Sequence, residues 1–405
     1  MKYMEYRNIY IHHIFPLFMA IKYNPFNPQQ PAKPHFFVGR NDEVKCFQNF
    51  LGQTIHNSPM NMSITGDRGM GKTSILNKFE EIAQNENALV IRISNYEGNV
   101  RDVVELSEFL VGNIQRELIS RNPFSKTLSG FGKWLSSFKP TIEISGVSVT
   151  IEKKQIAQDV LRGRLQEIWE QIKDKYSSVV ILVDEAESLE NIDALTFLRE
   201  VFQRVQSNSN YMIVLAGKFN FPERMSEQFS PLNRFFPAQR LRRLEEKDVG
   251  NYLINRLKET GISTNNNAIS QIFKMSEGHP YVLVCIGFLV FDSLNENEAE
   301  ISKLIVERCI GKIKGRLSQD FFTPMFHPLS PLAKKIISLI ASNIKGLKFT
   351  MNEATKITQM QNNQLSGYFG EFLKRGILTK PSRGTYWIFH TLFKEYIVYN
   401  KKNNL

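Results

Sequence analysis

The stretch GDRGMGKTS, residues 66–74, most narrows what this chain can become. Gly66, Gly71, Lys72 and Thr73 fall on the spacing G-x-x-x-x-G-K-[ST], with NMSIT before it and SILNKFEEIAQ after it. NMSIT reads as a short buried strand, while Ile75, Leu76, Phe79 and Ile82 recur on one helical face. A glycine loop between a strand and a helix can wrap a phosphate. Its backbone N–H groups turn inward, and the helix start adds partial positive charge. Gly66, Asp67, Arg68, Gly69, Met70, Gly71, Lys72, Thr73 and Ser74 are the expected cradle. Lys72 would reach the β- and γ-phosphates, and the Thr73 hydroxyl would ligate Mg2+. A plain surface turn explains neither the lysine nor the flanking pattern.

Further apolar, β-rich runs follow: ALVIRIS, SVVILVD and YMIVLAG, separated by amphipathic helical patterns. Alternation of this kind predicts a parallel sheet with helices on both faces. VVILVDE, residues 179–185, ends in two carboxylates. At the carboxyl end of a parallel strand they would face the phosphate loop. Asp184 would hold Mg2+, directly or through water, and Glu185 would orient and polarise an attacking water. The same acids also suit a helix N-terminus, and the two readings are compatible. TIEISGVSVTIE, residues 141–152, alternates with period two about Gly146 and predicts a β-hairpin insert.

From about residue 244 the strand patterns stop and four helical segments follow. DFFTPMFHPLSP, with three prolines, reads as a linker. The remainder predicts helix, short strand, a helix-turn-helix pair, a two-stranded wing turning at Pro381–Gly384, and a closing helix, which is a winged-helix order. In the third helix of that module Leu365, Phe369, Phe372 and Leu373 form the apolar face. Two glycines and Glu371 make it a weak base-reading helix.

The net charge of +11 is unevenly placed. Residues 36–328 carry 35 basic and 36 acidic residues, whereas residues 329–405 carry twelve basic and three acidic. That asymmetry predicts an anionic partner for the last module, with double-stranded DNA the expected one. The expected phosphate contacts are Lys345, Lys348, Lys374, Arg375, Lys380 and Arg383. Cys46, Cys285 and Cys309 lie far apart without metal-site spacing, which suits a reducing, cytoplasmic setting. No apolar run is long enough to span a bilayer, so no membrane association is expected. Residues 1–35 read as an extension and Pro-rich tether, with Met19 a candidate natural start.

FVGR, GDRGMGKTS and LVDEAESL together resemble the Orc-like AAA+ and STAND group of P-loop ATPases, including archaeal and bacterial members with a C-terminal winged helix. The resemblance runs from about residue 24 to the end. It implies an α/β P-loop NTPase core over 36–243, a helical lid over 244–320 and a winged helix over 329–405. Val38, Gly39 and Arg40 would line the adenine and ribose side, although Arg40 equally suits a structural ion pair. Pro280 in GHP resembles a proline that lies near adenine, and it also suits the first turn of a helix. Lys218 or Asn220 would contact the γ-phosphate. Arg234 stands where an arginine finger is found, and pairing with a nearby acid is its alternative. The implied activity is Mg-dependent ATP hydrolysis driving a nucleotide-controlled switch, with ATP-dependent self-association. Two outputs remain open: DNA binding, as in replication initiators, or signalling or defence through a protein partner docked on the winged helix.

Overall fold

The structure, a computed structural model, describes residues 23–94, 102–121, 150–382 and 384–403. Its centre is a five-stranded sheet: β1 (Met62–Thr65), β2 (Leu89–Ser94), β3 (Val179–Asp184), β4 (Tyr211–Gly217) and β5 (Ala238–Arg240). The order is β2-β3-β4-β1-β5, and every pairing is parallel. The apolar runs are continuous because both faces are covered. Val90, Val180, Leu182, Met212, Val214 and Ile64 pack on one face against α1 (Asn41–Ile55) and α2 (Lys72–Asn85). Ile91, Ile93, Ile181, Val183, Ile213 and Leu215 pack on the other against α3 (Val103–Arg121), α4 (Thr150–Ile172) and α5 (Ala194–Val205). β4 lies between the strand that feeds the glycine loop and the strand that ends in Asp184. The parallel arrangement brings the three carboxyl ends to one edge, where the cleft opens.

After α6 (Phe221–Phe229) and α7 (Leu232–Phe235), helices α8 (Glu246–Leu257), α9 (Asn266–Ser276), α10 (Pro280–Asp292), α11 (Lys303–Arg308) and α12 (Ile310–Leu317) form a helical layer. A two-stranded parallel pair, β6 (Ser263–Thr264) with β7 (Glu300–Ile301), ties its loops together. Residues Thr323–Phe326 form α13, and Pro331–Asn343 form α14. Then come β8 (Lys348–Thr350), α15 (Met351–Thr358), α16 (Asn362–Lys374), β9 (Leu378–Ser382), β10 (Thr385–Ile388) and α17 (Thr391–Asn403). The three strands make an antiparallel sheet in the order β8-β10-β9. A capping box at Thr350 and Glu353 starts α15.

Three expectations differ from what the fold contains. The stretch read as a linker is helical, and its Phe321, Phe322, Met325 and Phe326 are buried. Two of its prolines sit in first turns, Pro324 in that of α13 and Pro331 at the start of α14, where a missing N–H costs nothing, and Pro328 falls in the turn between them. One hydrophobic core therefore runs unbroken from the helical layer to β10 and α17. The Pro-rich tether is built into this body from Asn24 onward: Asn24 Nδ2 donates to Phe288 O at 2.9 Å, and Phe26 is buried between Tyr252 and Phe291. Of the hairpin expected at 141–152, residues 150–152 begin α4, and the rest lies outside the described residues.

Candidate nucleotide site

Gly66 leaves β1 and the loop turns back through two left-handed glycines, Gly69 (φ 78°) and Gly71 (φ 88°), before α2 begins at Lys72. Gly69 is sterically required as well. A Cβ there would stand 2.8 Å from the His279 ring and 2.9 Å from Tyr281 Cβ. Lys72 folds over its own loop, with Nζ donating to Gly66 O at 2.9 Å and Asp67 O at 3.2 Å. Burial lowers the Lys72 ammonium from its ordinary value, against the raising pull of Glu187, Asp67 and Asp184. Such a cation is poised to exchange two carbonyls for an anion. Burial also lifts the Asp67 carboxyl to about 6, although Lys72 and Arg243 pull it down.

Thr73, in the first turn of α2, donates from Oγ1 to Asp184 Oδ2 at 2.8 Å. Asp184 Oδ1 accepts the N–H of Glu185 at 3.1 Å. The hydroxyl and carboxylate are hard oxygen donors on adjacent elements, a set that fits Mg2+ with water and phosphate oxygens completing its shell. Among the described residues no cluster of three or more His, Cys, Asp or Glu offers an all-protein metal cage. Glu185 holds a left-handed backbone (φ 54°), a costly conformation for a non-glycine residue, and its side chain is exposed at the cleft. Burial first, then the charges of Asp184 and Glu187, raise its carboxyl.

The cleft encloses about 1350 Å³ and has four walls. The loop and β-strand ends supply Asp67 to Ser74, Asp184, Glu185, Lys218 and Asn220. Lys218 also lies 3.6 Å from Glu187. The strap at residues 28–38 supplies a second wall, with Ala32 N–H donating to Ser74 Oγ at 3.0 Å. Val38 and Arg40 line it too. Arg40 Nη2 donates to Met70 O at 3.3 Å, and its Nη1 stands 3.9 Å from Glu43, so it braces the loop and pairs with an acid at once. Gly39 packs against Leu244 and Asp248. The third wall is the helical layer, where Pro280 both opens α10 and faces the cleft.

The fourth wall comes from the basic module. Gly370, Leu373, Lys374, Arg375, Thr379 and Lys380 line the same cleft. Three of the six lysines and arginines read as DNA contacts therefore border this cleft, Lys374 and Lys380 with exposed side chains and Arg375 held by Glu371 at 2.9 Å. Lys345 and Lys348 are exposed outside the cleft, and Arg383 lies outside the described residues. Arg234 is exposed on α7 and is not among the residues lining the cleft.

Sequence reasoning passed over the joint beneath the loop. His279 is fully enclosed and its Nε2 lies 3.1 Å from Arg68 O, so that nitrogen carries the proton. Its Nδ1 is buried without a partner, and burial, with Arg243 and His390 nearby, holds the imidazole neutral. Tyr281 N–H donates to Gly69 O at 3.2 Å. Arg243 bonds Glu277 at 3.1 Å and Phe389 O, while Glu277 accepts the Thr391 N–H at 3.0 Å. These bonds join the segment after β5, the turn between α9 and α10, and the start of α17. The only available signal was GHP itself, read for its proline rather than its histidine.

Residues 55–225 match a family described as an AAA domain. That match covers less than half of the chain, and the rest of the likeness is one of fold. Against solved structures, it is similar to a Walker-type ATPase of Pyrococcus abyssi (TM-score 0.61, 17% identity, 92% of this chain and 99% of the other). It is also similar to the Aeropyrum pernix ORC2 protein in ADPNP–ADP complexes (TM-score 0.58, 14% identity, 94% and 98%). Among curated proteins it is similar to an uncharacterized HTH-type transcriptional regulator of Methanocaldococcus jannaschii, 18% identical over 391 residues, spanning 93% of this chain and 92% of the relative. The matched residues contain the glycine loop, Asp184 and Glu185, while Val38, Pro280 and the basic module lie outside them. No described helix is long and apolar enough to cross a membrane.

Proposed function

We propose that this chain is an ATP-hydrolysing switch whose AAA domain controls the basic module at residues 329–405, read as a winged helix. The observation that carries this is the Thr73–Asp184 pair at 2.8 Å, set beside the Lys72 loop in a cleft that the basic module helps to enclose. Lys72 leaves the Gly66 and Asp67 carbonyls to hold phosphate oxygens. Mg2+, when bound, neutralises charge on the β- and γ-phosphates and orients them. Thr73 and Asp184 would hold it. Glu185 accepts a hydrogen bond from the water that attacks the γ-phosphorus, so the new P–O bond forms as the bond to ADP breaks. Val38, Arg40 and Pro280 flank the nucleoside, and Lys218 or Asn220 reaches the γ-phosphate. Arg234 does not line the cleft of its own chain, so as a finger it would act on a second copy docked by ATP.

The output favoured here is duplex DNA, read through phosphates by the outward face. Trp387 on the central strand is 44% exposed and pairs in register with the exposed Lys348, near Lys345. Exposed lysines on β8 and in the bend before it suit a phosphate backbone. Charge reversal at Lys345 and Lys348 should weaken duplex binding and flatten its salt dependence, measured by fluorescence anisotropy across a salt series. Binding that ignores salt and these changes would overturn the DNA reading. The second reading is STAND-type signalling or defence through a protein partner. It draws on Lys374 and Lys380 bordering the cleft, an arrangement that suits a module docked on its own ATPase. A chain that hydrolyses ATP without binding duplex at low salt would favour it.

A further inference from the structure

We propose that Arg92 is a positioning residue that sets how strongly Asp184 grips its divalent cation. A lone charged residue stands inside the apolar strand β2, opposite Leu182 and beside the strand that ends in Asp184. It shares the α2 side of the sheet with Val90, two residues before it. From there Nη2 stands 3.5 Å from Asp184 Oδ2, and Nη1 stands 3.7 Å from Glu80 Oε2 on α2. Nη1 is buried without a hydrogen-bond partner, so this guanidinium is held chiefly by its two carboxylates.

Asp184 Oδ2 is thereby shared. It accepts the Thr73 hydroxyl at 2.8 Å and faces Arg92 at 3.5 Å, and it is also the oxygen nearest the proposed cation ligand Thr73. Arg92 does not line the cleft, so it acts through Asp184 rather than on the nucleotide. Its positive charge competes with a dication for one carboxylate and repels that dication across a short distance. Glu80 has the opposite effect, because it draws the guanidinium away from Asp184. The pair works as a trim on cation affinity, keeping Asp184 oriented and only moderately retentive while the cleft is empty and when product leaves.

The inference rests on the reading of Asp184 as a cation-holding residue, and the experiment separates the two. The apparent Mg2+ affinity of the complex with a fluorescent, non-hydrolysable ATP analogue is measured by magnesium titration. The full chain is compared with Arg92→Gln, Arg92→Lys, Glu80→Gln and Asp184→Asn. Arg92→Gln should tighten Mg2+ by about tenfold, the scale of a unit charge acting on a dication in water-like screening. Glu80→Gln should weaken it severalfold, and Arg92→Lys should stay near wild type. Opposite signs at Arg92 and Glu80 are what a structural role would not produce. Shifts in the same direction, weaker Mg2+ in Arg92→Gln, or no shift at either residue would overturn the proposal. An unchanged magnesium dependence in Asp184→Asn would overturn the parent reading instead.

Discussion

His279 Nε2 and the carbonyl oxygen of Arg68 lie 3.1 Å apart, although 211 residues separate them in the chain. This bond, with Tyr281 N–H on Gly69 O, ties the phosphate loop to the first turn of α10. Through Glu277 and Arg243 the same layer holds Phe389 and Thr391 of the basic module. A loop rearrangement of the kind the proposed switch requires would therefore act on packed elements rather than on a flexible connection.

Gly69→Ala should abolish ATP binding while the chain stays folded. The added methyl meets His279 at 2.8 Å on a backbone with φ 78°, so the loop must move. His279→Ala relieves that contact but leaves the Arg68 carbonyl without its donor, costing about 1–3 kcal/mol in denaturant unfolding. The pair should show coupling in a double-mutant cycle. Additive effects would contradict a direct joint between the two.

Phe26→Ala should lower unfolding stability by about 3–5 kcal/mol, the range for emptying a buried aromatic site. Phe26 is 1% exposed, and its ring contacts Gly287, where a Cβ would stand 2.8 Å away. Urea denaturation of the full chain tests this. A loss below about 1 kcal/mol would mean that residues 24–35 are the loose tether their composition suggests.

Asp67 predicts a pH dependence. Its folded carboxyl is raised from 3.8 to about 6, so the fold disfavours the charged form. The stability that the neutral carboxyl contributes is complete below 3.8 and is lost as pH rises through about 6. Protonation also removes a negative charge from the phosphate loop. ATP affinity should therefore rise severalfold as pH falls from about 7 to about 5, and Asp67→Asn should lose that part of the slope. Calorimetric titration at several pH values reads both, and equal slopes in the two proteins would contradict the assignment.

The sheet and the loop were legible because their signals are local. VVILVD shows its strand by six apolar or terminal positions in a row, and all six are buried. Lys72, Thr73 and Asp184 were legible from motif and strand end. The strap and the joint were not, because they depend on contacts such as Asn24 to Phe288 that no window contains. The helices at 323–343 were hidden by prolines, which break a helix inside and begin one at its edge. The inward face of α16 was half legible. Leu365, Phe369 and Phe372 pack as their spacing indicates, yet periodicity cannot say that the exposed Gly370 and Lys374 border the same cleft as the phosphate loop. Arg92 left a visible trace, a charge inside an apolar strand, whose meaning required Glu80 and Asp184 in space.

The proposed switch requires Lys72 to bind the nucleotide and Glu185 to promote its hydrolysis in one cleft. Equilibrium ATP binding and single-turnover hydrolysis on wild type, Lys72→Ala and Glu185→Gln test it most directly. Lys72→Ala should stay folded and show no measurable ATP affinity. Glu185→Gln should bind Mg·ATP as wild type does and turn over at least about tenfold more slowly. Wild-type affinity in Lys72→Ala, or an unchanged rate in Glu185→Gln, would contradict the account.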